Sequence, residues 1–170
     1  MNTSAKDLQD LYQQQLISLV AAEKRHIKSI AKISKTILTD KLKTALNTEV
    51  TDIQQHLERL QLCKKTLKNK STLKAEMAYL LTQAVENYPK KGKPSLLLDL
   101  RVMRYMEDAF MQKVAAYQQL QLMANVIGDE RSAQLLEQSA NDNQNSYAYL
   151  QQVSANIIYP AIMADKITSI

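Results

Sequence analysis

Six residues of this chain combine chemically useful side chains with helical spacing: Glu23 and His26, Glu49 and Asp52, Lys113, and Asp142. Four of them interrupt apolar stripes. Glu23 fills the gap in the series Leu8, Tyr12, Leu16, Leu19, Ile27, Ile30, and Glu49 and His56 fill the gaps in Leu42, Leu46, Ile53, Leu60, Cys63. Lys113 stands between Phe110 and Tyr117, and Asp142 stands in the series Leu135, Ser139, Ser146, Tyr149, Val153. Apolar residues advancing in steps of three and four mark one face of a helix, and an ionised group on such a face needs a partner. All four lie near the middle of their segments, where an antiparallel bundle brings them to one level. His26 and Asp52 each follow a glutamate by three positions and so sit beside the layer.

Two kinds of chemistry suit such a layer. Carboxylates and histidines projecting into a four-helix core form the ligand set of di-iron and di-manganese proteins, in which two helices give a Glu and two give a Glu-x-x-His. Alternatively, the layer is a buried set of ion pairs that fixes the register of the bundle. Lys113 bears on the choice, because a protonated ammonium has no lone pair for a metal and can instead neutralise carboxylates.

The segments that must position these residues read as helices throughout. The first runs from about Ser4 to Leu38, and the second follows the Thr39-Asp40 break to about Lys68. A short helix is expected from Thr72 to Glu86, before the loop NYPKKGKPS at about 87–95, where two prolines and a glycine forbid helix continuation. Ser95 caps a long helix to Ile127, Gly128 stops it, and Asp129 caps a last helix to about Tyr159, ahead of Pro160. Four helices near 30 residues each would span ~45 Å. One long crossover between two helical hairpins distinguishes a ferritin-like arrangement from a simple up-down bundle. The expectation is an all-α, ferritin-like four-helix bundle with a short extra helix in the crossover, formed by residues 1–170 as a single domain.

Composition agrees with this expectation. Two glycines and three prolines in 170 residues leave few tight turns for a sheet fold, and the sequence has neither a Gly-rich phosphate loop nor a GxSxG elbow. Lys and Arg exceed Asp and Glu by 22 to 17, a net +5, which permits nucleic-acid contact. The lysines are spread along the chain, however, so they read as solvated charges. One cysteine, Cys63, rules out an intrachain disulfide, and the N-terminus has no signal-peptide layout. A cytoplasmic protein without a membrane partner is expected. His26 and His56 read as residues flanking the stripes, Cys63 as a small core residue, and the tyrosines as seam packing.

Several phrases in order resemble the YciE/YciF family, a ferritin-like group linked to bacterial stress responses. LVAAEKRHIKSIAKI resembles its first-helix phrase, LKTALNTEVTDIQQHLERL its second, and KAEMAYLLTQAVENY its extra short helix. MQKVAAYQQLQLMANVIGDERSAQLLEQS resembles the phrase carrying AAY and the following turn, and IIYPAI sits where the family often ends. The resemblance implies a metal site to which Glu23 matches directly. Glu49 falls where the family usually has histidine, and Asp52 on a nearby glutamate. Phe110, Met111 and Lys113 replace an acidic and histidine-bearing phrase, and Asp142 and Asn143 stand in for paired glutamates. The resemblance therefore implies a degenerate di-metal site at Glu23, His26, Glu49, Asp52 and Asp142, with Lys113 in place of the metal charge, no cofactor, and a homodimeric structural or interaction role. The alternative is a di-iron or di-manganese carboxylate protein acting on oxygen or peroxide.

Overall fold

The structure, a computed structural model, describes residues 5–67 and 93–168. Four long helices carry the architecture: α1 (Ala5–Ile33), α2 (Asp40–Lys65), α3 (Leu96–Val126) and α4 (Glu130–Val153). A shorter α5 (Tyr159–Thr168) follows, and no strand occurs among the described residues. The expected short helix at Thr72–Glu86 and most of the loop before Ser95 lie outside the described residues.

The connections fix the topology. α1 ends at Ile33 rather than near Leu38, passing through a 3-10 turn at Ser34–Thr36 into extended backbone. The carboxylate of Asp99, in the first turn of α3, accepts the backbone N–H groups of Leu38 at 3.0 Å and Thr39 at 2.7 Å. Thr39 makes no capping bond with its own side chain, so Asp99 takes up N–H groups that would otherwise lack an acceptor. This contact places the start of α3 beside the α1–α2 corner, and α2 and α3 therefore run parallel, as a long crossover requires.

At the other end α3 closes with a Schellman motif. Gly128 N–H bonds to Asn125 O and Asp129 N–H to Ala124 O, with Gly128 at φ 78°. A Cβ there would meet no atom within 4 Å, so the requirement for glycine is conformational rather than steric. Asp129 then caps α4 through Ser132 N–H and also accepts from the Thr66 hydroxyl at 2.6 Å, tying the end of α2 to this turn.

The expected stop before Pro160 is a correction. The chain widens into a π turn at Ser154–Ile158, where Tyr159 N–H bonds to Ser154 O, and then continues as α5 through the proline. Pro160 sits in the first turn of α5, where its missing N–H is tolerated, and the π turn supplies the break that the proline needs.

Two hydrophobic clusters fill the interior. One gathers Ile30, Ile33, Leu42, Leu46, Ile53, Met106, Phe110 and Leu150 near the α1–α2 corner. The other gathers Tyr12, Leu16, Leu19, Leu60, Cys63, Leu120 and Leu136 toward the α3–α4 turn. Between them lies a stratum of buried polar residues.

Candidate functional site

All four long helices contribute to that stratum. α1 gives Glu23 and His26, α2 gives Glu49 and His56, α3 gives Lys113 and Tyr117, and α4 gives Asn143; each of the seven is at most 2 % exposed. The apolar residues above and below these positions drive each helix face inward, and the ionisable groups are carried in with them.

Lys113 is the centre of the stratum. Its Nζ lies 2.7 Å from Glu49 Oε1 and 2.9 Å from Glu23 Oε2. The Tyr117 hydroxyl donates to Glu23 Oε1 at 2.8 Å, and His56 Nδ1 approaches the same oxygen at 3.5 Å. On its far side His56 Nε2 is 3.4 Å from Asp142 Oδ2, which is held in turn by the guanidinium of Arg59. His26 packs edge-on to Tyr105 at 5.9 Å, and neither of its ring nitrogens has a hydrogen-bond partner among the described residues. Glu49 Oε2 and Asn143 Oδ1 are likewise buried without one.

The electrostatics follow from burial and this geometry. Burial alone would raise the Glu23 carboxyl, but Lys113 and the two imidazoles outweigh it and hold the group at about 2. Burial, with the added repulsion of Glu23, pushes Glu49 up despite its ammonium partner. Burial would lower Lys113, yet two carboxylates raise it, so it remains charged. His26 is driven well below the usual imidazole range, first by burial and then by Lys113.

The place between the two glutamates is taken by an ammonium in direct contact with both, and no group of three His, Cys, Asp or Glu side chains among the described residues could hold a metal ion. What the arrangement can do is fix a buried positive charge at the crossing level of the helices.

The pattern of the family described as Domain of unknown function (DUF892) matches residues 7–162. The chain belongs to this family. The stress protein YciF of Escherichia coli is similar in structure, with a TM-score of 0.76 and 18 % identity over 92 % of this chain and 97 % of that one. YcfI from Rhodopseudomonas palustris has a TM-score of 0.75 and 20 % identity over 89 % of this chain and 95 % of that one. A protein from Xanthomonas campestris follows at 0.67 and 15 % over 94 % and 99 %. At these identities the likeness concerns the fold, a YciF-like all-α bundle. No curated protein matches the sequence.

Within this DUF892 chain, Glu23, His26, Glu49 and Lys113 lie in the stratum, as their place in or beside the stripes implies. Asp52 is half-buried and makes none of the contacts of the layer. Asp142 requires a correction: its side chain is 36 % exposed and reaches the layer only through His56, while its neighbour Asn143 is fully buried. The inward face of α4 runs through Ser132, Ala133, Leu136, Ser139, Ala140 and Asn143 before Leu150 and Val153. Small residues let α4 pack closely on α3, its most extensive neighbour, and a stripe drawn through large side chains misses such a face. His56, read both as a stripe gap and as a flanking residue, lies at the heart of the layer, so the flanking reading is corrected. The sequence signal was its place seven residues, two turns, after Glu49.

Proposed function

We propose that this protein is a non-catalytic ferritin-like bundle, a structural or interaction module, in which the ammonium of Lys113 occupies the di-metal position. The observation that carries this reading is the double contact of Lys113 Nζ with Glu49 and Glu23, at 2.7 and 2.9 Å. A divalent cation there would have to displace a buried ammonium from two carboxylates and would be repelled by it if it stayed. A place in a bacterial stress response is part of the proposal and draws on the likeness to the stress protein YciF. So is a cytoplasmic setting, supported by the single cysteine. No described helix is long and apolar enough to cross a membrane.

A homodimer completes the proposal. The only charged side chain between Asp108 and Asp129 is the buried Lys113, and the outward face of α3 presents Met111, Leu122 and Val126, all more than half exposed. A charge-free, self-complementary helix face suits an isologous contact with a second copy.

Protein purified aerobically without a metal-binding tag should contain less than stoichiometric iron or manganese by elemental analysis, and light scattering of the same sample should give twice the chain mass. Two tightly held metal ions per chain would reject the proposal in favour of a di-iron or di-manganese protein acting on oxygen or peroxide. That rival draws on the unpartnered nitrogens of His26 and on Glu49 Oε2.

A further inference from the structure

The outer face of α1 carries charge of one sign. Lys24, Arg25, Lys28 and Lys32 are all exposed, as is Lys35 in the 3-10 turn that follows. At 3.6 residues per turn the four on α1 fall within about 100° of arc, on one side of the helix. Glu23 and His26 lie within or beside this run in the sequence, but the fold turns both into the core, where Lys113 holds Glu23. None of the five cations forms an ion pair among the described residues, whereas Lys43 holds Asp40 and Arg104 holds Asp108. This face alone therefore carries as much charge as the net +5 of the whole chain, a concentration that the wide spread of lysines along the sequence conceals.

Helix stability does not account for the row. A cation interacts with the helix dipole only in the last turn, which holds Lys32; Lys24, Arg25 and Lys28 lie further back. The steps of four from Lys24 to Lys28 to Lys32 set like charges on successive turns, which weakens a helix, and a polyanion laid along the face would offset that repulsion. Three polyanions compete for such a row. A membrane surface is held by a helix that also inserts apolar side chains, yet α1 exposes no large apolar side chain between Leu11 and Leu38. A nucleic-acid single strand is held by aromatic side chains on which its bases stack, yet α1 has no Phe, Tyr or Trp after Tyr12. A duplex requires neither, because its stacked bases are enclosed and its phosphates present one charge per ~1.7 Å of axis, a line of charge to match a row about 16 Å long from Lys24 to Lys35.

We propose that the outer face of α1, through Lys24, Arg25, Lys28, Lys32 and Lys35, binds the phosphate backbone of double-stranded DNA without regard to base sequence. Contacts to phosphates position a protein on the duplex and carry no sequence information. The face stands apart from the ionic layer and from the outward face of α3, so its failure would leave the readings of both untouched.

The test titrates the full chain into a fluorescent DNA duplex of about 20 base pairs and follows anisotropy between about 50 and 300 mM salt. Each phosphate neutralised adds about −0.9 to the slope of log K against log salt, so three to five engaged cations should give a slope between about −2.7 and −4.5. Duplexes of unrelated sequence should bind within about threefold of one another. A variant combining Lys24→Gln, Lys28→Gln and Lys32→Gln should make the slope shallower by about 2 or more. A control combining Lys6→Gln, Lys65→Gln and Arg131→Gln removes the same net charge from exposed positions elsewhere and should keep the slope within about 0.5 of wild type. All six positions are on the surface, so both variants should keep the helical circular dichroism of the wild type. No anisotropy change at about 50 mM salt with about 100 μM chain overturns the proposal, since non-specific binding in this range is what phosphate contacts supply. An equal loss of slope in the two variants overturns it too, by assigning the binding to net charge rather than to this face. Equal or tighter binding to a single strand of the same length overturns the choice of a duplex, and tighter binding to phosphatidylglycerol–phosphatidylcholine vesicles, lost in the α1 variant, reassigns the face to a membrane.

Discussion

Replacing Lys113 with methionine isolates the ammonium from its surroundings, because methionine keeps most of the apolar stem and removes the charge. In the wild type Nζ contacts Glu49 Oε1 at 2.7 Å and Glu23 Oε2 at 2.9 Å, and all three side chains are at most 2 % exposed. The variant leaves two carboxylates facing each other in a dry core. Removing one member of a buried ionic set costs about 3–5 kcal/mol. For a chain of this size each kcal/mol moves the midpoint by about 2–4 °C, so thermal unfolding at pH 7 should fall by roughly 6–20 °C. Glu49, already displaced upward by burial, should be displaced further once its ammonium is gone. A carboxyl raised in the native state takes its proton before the unfolded chain does, so the variant should regain part of the loss between pH 7 and pH 5. Manganese should also recover part of it, since a ligand at a hundred times its Kd adds about 2.7 kcal/mol, and it should leave the wild type unmoved. A midpoint within about 2 °C of wild type, or one indifferent to both pH and manganese, would refute the claim that lysine holds the metal's place.

Two further outcomes rest on single contacts. His26 is held well below the ordinary imidazole pKa of 6.5 by burial and by Lys113, so the unfolded chain binds its proton first and stability is lost as pH falls below 6.5. The stability advantage of the wild type over His26→Phe in urea unfolding should therefore shrink between pH 7.5 and pH 5.5, and a constant difference would contradict it. Asp99→Ala removes an acceptor shared by Leu38 N–H and Thr39 N–H and should destabilise by about 2–3 kcal/mol. Faster hydrogen exchange confined to those two amides and the first turn of α2 would locate the effect, whereas a loss under about 1 kcal/mol would argue against the cap.

The helices and their order were legible because the signals were local. Ser95, Gly128 and Asp129 act within a turn of themselves, and long periodic runs need no tertiary information to be read. The inward place of Glu23, Glu49 and Lys113 was legible for the same reason, since the apolar residues on either side of a lone charge carry it into the core with them. The facing of α4 was not. Between Leu136 and Leu150 its buried residues are serine, alanine and asparagine, and what makes those residues inward is the approach of α3 rather than any preference of their own. Nor was the role of Asp99, whose partners are backbone groups some sixty positions earlier. Pro160 misled because a proline reads as a stop only when the turn before it is regular, and here that turn is widened.

The placement of the layer bears on why a lysine can persist in the core. Apolar clusters lie on both sides of it, and they tolerate a slip of one helix along another better than an ionic contact does, because dispersion and burial are nondirectional. A slip of α3 by one turn would carry Lys113 toward Ile30, Leu46 and Ile53 of one cluster or Leu16, Leu19 and Leu60 of the other, leaving an unpaired ammonium there and two unpaired carboxylates behind. Either error costs more than the ion pair contributes in place. The layer therefore selects one register of α3 against α1 and α2 even where its net stabilisation is small. In di-metal four-helix bundles a bound ion can serve the same end, but only while the ion is supplied. A covalently attached cation makes that selection independent of supply, as the proposed structural module would require.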